Sequence, residues 1–304
     1  MNILCLTSSE CDYLQDQTLV GLRNLHGTDA IEVPRKDILY TNSATPKRDL
    51  YGHGFSTWCT LDDLEINRTH VMKRAAKGEF DTIVFPSIWR TIKAFEELRD
   101  LGVLTRKDVR VIFIDGEDHP RLYKPALTIG EYYKRELRRR LWIPKGVHGI
   151  GFSIPRVKLR TSPLTKTRTF ATHAQCKEAF KIPEVRDQCK ESYAFTDESE
   201  YYHDIGISKY AFTMKKCGWE CMRHYEISAN QTVPCFYKLH ARPKHCAPYG
   251  LIDMKNAVGF KNARELKRKL AYIDEHDLYP ALQANAFAWA QEHTCERAAE
   301  YILR

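Results

Sequence analysis

The chain has 304 residues, of which 43% are apolar and 28% charged, and carries a formal net charge of +8. That balance excludes a disordered chain, and the length exceeds what one core comfortably organises, so two cores are expected. No apolar run is long enough to cross a bilayer, and MNILCLTSSE has no basic segment ahead of its apolar residues, so a cytoplasmic protein is expected.

Short apolar runs alternate with amphipathic stretches along the chain. NILCLTS reads as a first strand, residues 12–26 as a helix with Leu14, Thr18, Leu22 and Leu25 on one face, and 30–33 as a strand. DDLEINRTHVMKRAA reads as a helix, DTIVFPS as a buried strand closed by Pro86, and IKAFEELRDLG as a helix stopped at Gly102. VRVIFIDGEDHP is the strongest strand with its loop. In IGEYYKRELRRRLW, Ile129, Tyr133, Leu137 and Leu141 recur at helical spacing, which predicts an amphipathic helix with its basic residues exposed. HGIGFSIP reads as a strand.

Residues 156–168 are polar, basic and interrupted by Pro163, which places a domain boundary there. The pattern then restarts: RTFATH as strand, CKEAFKIPEVRDQCK as a helix broken near Pro183, SYAFTD as strand and ESEYYHDIG as helix. SKYAFTMKK (strand), WECMRHYEISAN (helix) and VPCFYKL (strand) follow, then helices over 263–275 and 281–304. The β-α series predicts an α/β fold of two Rossmann-like domains with parallel sheets facing across a cleft. Their expected extents are 1–160, 161–280 and a terminal helix, 281–304, packing back on the first domain.

Charge is uneven. Residues 121–168 hold thirteen Lys and Arg against Glu131 and Glu136, a balance of +11 where the whole chain is +8, so the remainder is −3. Such a block suits a polyanionic partner, namely the phosphates of a nucleotide, a nucleic acid or an acidic polymer, with a solvated face as the alternative. The ten cysteines have no framework spacing and read as reduced thiols. Cys217, Cys221, His224, Cys235, His240, His245 and Cys246 crowd within thirty residues, but no C-x-x-C pair occurs, so no metal site is expected.

Ligands of open parallel sheets bind outside the carboxyl ends of the strands. Two such ends carry chemistry. After RVIFI stand Asp115, Glu117, Asp118 and His119, a cluster that can bind a metal, hold sugar hydroxyls or supply a catalytic base; Asp12 and Asp16, after the first strand, are reserves. In the second half, Lys209, Lys215 and Lys216 lead through Gly218 into a helix bearing Arg223 and Glu226. A lysine pair and a helix N-terminus suit a diphosphate, and a carboxylate one turn on can accept both ribose hydroxyls. The first β-α turn has no G-x-G-x-x-G and the chain no G-x-S-x-G, which argues against a dinucleotide oxidoreductase and a serine hydrolase.

Gly218, Arg223, Tyr225-Glu226, Ala229 and Val233-Pro234 resemble the donor-binding segment of GT-B glycosyltransferases, nearest to the spore-maturation type and its exostosin-like relatives. Glu292-His293-Thr294, Glu296-Arg297 and Ile302-Leu303 resemble the last helix of the spore-maturation type, so the likeness covers roughly the C-terminal third. It departs at Ala229-Asn230-Gln231-Thr232, where these families place a glycine; Asn tolerates a left-handed turn. The resemblance implies a glycosyltransferase with a nucleotide-sugar donor in the second domain. Glu226 would then lie on the ribose or sugar, and Arg223 and Lys216 near the diphosphate. The acceptor, a glycan or nucleic acid, would lie on the first domain, with Asp115, Asp118 or His119 as base. No cofactor is expected, the cations replacing a metal. The different-class alternative is a non-catalytic nucleic-acid-binding α/β protein using residues 121–168.

Overall fold

The computed structural model describes residues 1–138, 143–192 and 194–304. They divide into two compact units: residues 1–155 with 245–247 and 295–304, and residues 156–244 with 248–294.

The first unit is a six-stranded parallel sheet. In chain order its elements are β1 (Ile3–Leu6), α1 (Tyr13–His26), β2 (Ala30–Val33), α2 (Val71–Ala76), β3 (Thr82–Phe85), α3 (Ile92–Asp100), β4 (Arg110–Asp115), β5 (Glu131–Lys134) and β6 (Val147–Gly149). The strand order is β2-β1-β3-β4-β5-β6, every pair parallel. Helices on both faces explain why the central strands are continuously apolar. One face packs Ile3, Cys5, Val84, Ile112 and Ile114 under α1. The other packs Leu4, Ile83, Phe85, Val111 and Phe113 under α2 and α3, with the rings of Phe85 and Phe113 stacked at 5.0 Å.

The second unit holds β7 (Arg168–Phe170), α4 (Pro183–Gln188), α5 (Glu198–Gly206), β8 (Ser208–Met214), α6 (Met222–Ala229), β9 (Val233–Tyr237), β10 (Val258–Phe260), α7 (Ala263–Glu275) and α8 (Tyr279–Gln291). Its sheet, β10-β9-β8-β7, is again all parallel, with β7 at the edge. The last helix, α9 (Cys295–Leu303), belongs to the first unit, where Cys295, Ala299 and Ile302 join its core. Gly21 of α1 permits the contact: a Cβ there would lie 2.0 Å from the Cys295 carbonyl oxygen.

Several expectations are corrected. The segment read as a basic helix over 129–142 is instead β5 as far as Lys134. Glu-Tyr-Tyr-Lys suits a strand better than a helix, and Gly130 lets it approach β4, since a Cβ there would sit 2.2 Å from the Val111 carbonyl oxygen. Arg139, Arg140 and Leu141 lie outside the described residues. The helix over 62–76 shrinks to α2, because Asn67 Oδ1 accepts from the Thr69 amide and hydroxyl and His70 takes a left-handed φ of 51°. Residues 192–197 form no strand among those described; Asp197 instead caps α5, accepting from the Glu200 amide at 2.9 Å. The helix over 281–304 is broken into α8 and α9, with the Cys295 amide leaving the helix pattern to bond Ile154 O at 2.9 Å.

Candidate functional site

The carboxyl ends of the two sheets differ in charge. In the first unit, β1, β3 and β4 bring together Glu10, Asp12, Asp16, Asp115 and Glu117. Asp115 is fully buried. Its Oδ1 accepts from Lys134 Nζ at 2.6 Å and the Glu117 amide at 3.1 Å; its Oδ2 accepts from Tyr132 OH at 2.6 Å and Trp89 Nε1 at 2.9 Å. Lys134 is the register partner of Asp115 across β4 and β5, and is itself fully buried. Burial pushes its ammonium pKa down, and Asp115 works against that shift. An acid with four donors and no open face cannot take a proton from a substrate, so Asp115 is removed from the catalytic candidates; it anchors the loop.

Asp118 and His119 remain accessible. Asp118 is exposed and pairs with Arg135, which also donates to Gly116 O at 2.7 Å and lies over the Phe152 ring at 4.9 Å. His119 packs edge-on against Trp89 at 5.4 Å, with a buried Nδ1 that makes no hydrogen bond. Arg90 ties the loop to its neighbours, reaching Asp12 and Glu117 at 2.7 Å and Glu10 at 2.9 Å. Of the reserves, Asp12 caps α1, accepting from the Leu14 and Gln15 amides. Asp16 is fully buried, bonded by Trp58 Nε1 at 2.8 Å with Lys36 Nζ at 3.4 Å; burial raises its pKa to about 6.

In the second unit, the ends of β7 and β8 and the start of α6 converge. Lys216 follows β8, is exposed, and its ammonium donates to Gln175 Oε1. Its pKa is lowered by burial of part of the side chain and then by Arg223. His173 follows β7 and is 4% exposed; burial, then Arg223 and Lys216, depress its pKa to about 3, so it is neutral. Arg223, in the first turn of α6, lines two small cavities of about 10 Å³ each. One is shared with Thr213, Lys216 and Cys221, the other with His173, Tyr201 and Asp204. Each has room for about one water, so a diphosphate would lie over this surface.

Glu226, one turn along α6 from Arg223, is 6% exposed and accepts from Tyr201 OH of α5 at 2.7 Å. Cys221 is the N-cap residue of α6, and its thiol sits 3.7 Å from both ring nitrogens of His224. Burial opposes its ionisation, but His224 prevails and brings the thiol down to about 7. The turn after α6 survives without glycine: Gln231, not Asn230, takes the left-handed φ of 55°. The Asn230 amide group instead bonds Glu226 O at 2.9 Å.

Two of the expected cations stand apart. Lys209 is the second residue of β8, so about seven residues at 3.3 Å separate it from Lys216. It points to Asp274 at 3.9 Å and the Tyr279 ring, at the amino end of the strand, and cannot share a diphosphate with Lys216. Lys215 alternates away from Lys216 and lies over Trp219 at 5.9 Å. His173 and Tyr201 were not legible as site residues. The only signal for His173 was its position after an apolar run, and for Tyr201 there was none.

No protein-family model matches the chain, and no curated protein matches it in sequence. Solved structures do. HepE of Anabaena, determined in complex with UDP-glucose, has a TM-score of 0.58 at 10% identity, over 100% of this chain and 98% of its own. The same protein with UDP gives 0.57 at 9%. A glycosyltransferase of Rickettsia africae gives 0.57 at 10%, over 99% of this chain and 96% of its own. At such identity the likeness shows the fold: two Rossmann-like α/β units of the GT-B kind. No helix among the described residues is long and apolar enough to cross a membrane.

Proposed function

We propose that the chain is a glycosyltransferase that holds a nucleotide-sugar donor on its second unit and moves the sugar to an acceptor hydroxyl. The observation that carries this is the cluster of Lys216, Arg223 and neutral His173 at the carboxyl ends of β7 and β8, with Glu226 held one helical turn away by Tyr201. The shared fold with proteins solved with UDP-glucose and UDP supports it.

The chemistry follows from charge. As the glycosidic bond to the diphosphate breaks, negative charge accumulates on the departing phosphate oxygens. Lys216, Arg223 and the positive end of the α6 dipole are placed to stabilise that charge without a metal. Glu226, its second oxygen fixed by Tyr201, accepts from the ribose or sugar hydroxyls. The acceptor hydroxyl needs a base, and Asp118 or His119 fills that role. Lys134 and Arg135, expected on an exposed helix face, are buried in the first unit, so neither is offered to a polyanionic acceptor.

Calorimetry with UDP, GDP and their glucose conjugates tests the reading. One of them is expected to bind the wild type, and Glu226→Gln to weaken the intact nucleotide sugar more than the free diphosphate. Asp118→Asn or His119→Gln is expected to slow transfer by about 100-fold with donor binding intact. A wild type that binds no nucleotide sugar would overturn the proposal.

A further inference from the structure

Burial pushes the thiols of Cys5, Cys176, Cys189, Cys235, Cys246 and Cys295 up. Such thiols pack as small apolar residues and are inert. Cys221, half-buried at the start of α6, runs the other way, and the proposed donor chemistry makes no use of it.

Three side chains explain the difference. The Cys221 sulfur lies 3.7 Å from both ring nitrogens of His224, so their coupling is electrostatic and not one directed bond. The directed path runs through Thr213 of β8, whose hydroxyl oxygen is 3.5 Å from the sulfur and 2.8 Å from His224 Nδ1. His224 Nε2 faces the Trp219 carbonyl oxygen at 3.0 Å and carries a hydrogen there, since a carbonyl only accepts. Nδ1 is thus the nitrogen left to gain a proton. With the thiol ionised and the imidazole charged, Nδ1 donates to Thr213 Oγ1 and the Thr213 hydroxyl donates to the sulfur, so every group keeps a partner. Stacking on Phe236 at 4.7 Å holds the ring in place. Burial opposes charge on His224, and Cys221 overcomes it. Arg223 and Lys216 add positive charge beside the thiol, Glu220 acts on His224, and Tyr201 and Cys176 are neutral neighbours.

The thiol also lines a cavity of about 10 Å³ with Gln175, Cys176, Lys216 and Arg223, which has room for about one water. Lys216 and Arg223 are the cations of the proposed donor surface. We infer that Cys221 is a covalent modification site for small oxidants and electrophiles, activated by His224 through Thr213, and that its modification closes the donor surface. The second half rests on the donor reading above. With hydrogen peroxide, an S–O bond forms on the thiolate sulfur as the O–O bond breaks. Sulfur is oxidised by two electrons to a sulfenic acid, and the departing hydroxide takes the proton held by His224 and leaves as water. The added oxygen takes up the one-water cavity, against the cations that a diphosphate needs.

Peptide mapping after iodoacetamide, which alkylates the thiolate with loss of iodide, measures the site directly. In the wild type the Cys221 rate is expected to reach half its plateau near pH 7, and in His224→Gln at least about one pH unit higher. Hydrogen peroxide followed by a sulfenic-acid trap is expected to label Cys221 ahead of the exposed Cys11 and Cys217. The same treatment is expected to weaken binding of UDP or GDP, whichever the wild type takes, about tenfold or more in calorimetry. Dithiothreitol should restore binding, and Cys221→Ser should keep it throughout. If His224→Gln fails to fold, the wild-type profile and the order of labelling still decide. A wild-type midpoint above about pH 8, a midpoint unmoved in folded His224→Gln, or labelling of Cys11 or Cys217 first would overturn the modification site. Nucleotide binding that survives oxidation of Cys221 would overturn the closure. A wild type that binds neither nucleotide removes the closure together with the donor reading, while the thiol is judged by mapping alone.

Discussion

The carboxyl ends of the two sheets occupy equivalent places in related folds and solve opposite electrostatic problems. In the first unit the acids outnumber everything else, yet each meets a cation of its own unit: Asp115 with Lys134, Asp118 with Arg135, Asp16 with Lys36, and Glu10, Asp12 and Glu117 with Arg90. In the second unit the cations lie near one another, and His173, held neutral mainly by its burial, sits beside Arg223 and Lys216, which push its pKa further down. A closed charge network stabilises a scaffold. A set of mutually repelling groups gains when an anion arrives. The difference separates residues that shape a loop from residues that wait for a ligand, although both sets are charged and both follow strands.

Substitutions can break this contrast, and the largest effect belongs to the closed side. Lys134→Met leaves a buried, uncompensated carboxylate and is expected to cost about 3–5 kcal/mol in denaturant unfolding. Adding Asp115→Asn should recover most of that loss, because Tyr132 and Trp89 can still donate to the amide oxygen. If Asp115→Asn alone abolished transfer while stability held, the structural role assigned to it would fail. On the open side, Arg223→Gln is expected to weaken nucleoside diphosphate binding by about 1.5–3 kcal/mol, roughly 10- to 100-fold. Lys215→Gln should have a much smaller effect, since that side chain lies over Trp219. Equal losses for the two would erase the distinction between adjacent lysines.

Titration sharpens the same contrast. The folded His173 pKa of about 3 lies below the ordinary 6.5, so its neutral form contributes stability above pH 6.5 that is lost as pH falls toward 3. Its ring resonances are expected to stay those of neutral imidazole at pH 5. Asp16 runs the other way. Its pKa of about 6 exceeds the unfolded value, so its contribution is fully present below about 4 and lost as pH rises through 6. The smallest effects are expected for Tyr201→Phe, which should weaken nucleotide-sugar binding by about 1 kcal/mol, and for a chelator, which should leave transfer unchanged. A strict requirement for a divalent cation would mean that Lys216 and Arg223 do not carry the leaving-group charge.

Most strands were legible because a buried parallel strand is a continuous apolar run, as in Thr82–Phe85 and Arg110–Asp115. Failure came where burial and polarity disagree. Glu131–Lys134 was read as helix because Ile129, Tyr133 and Leu137 happen to recur every four residues. Lys134 looked like a surface charge, since nothing local shows that Asp115 lies beside it in the next strand. Val258–Phe260 is too short to announce itself. The donor surface was half legible: Lys216, Arg223 and Glu226 sit within one strand-turn-helix segment, whereas His173 and Tyr201 arrive from other elements by tertiary folding alone. Lys209 was wrongly grouped because adjacency in sequence hides that a strand holds its ends far apart.

The packing of α9 against α1 bears on the order in which the protein forms. The core of the first unit includes Cys295, Ala299 and Ile302, about 280 residues beyond the α1 residues they meet. During synthesis, strands β1 to β6 emerge early but must wait with that seam open until the final helix leaves the ribosome. The second unit, apart from the short 245–247 insertion, is complete by residue 294. The unit made first is therefore finished last, and its exposed seam along Gly21 is where a nascent chain of this protein would call on a chaperone.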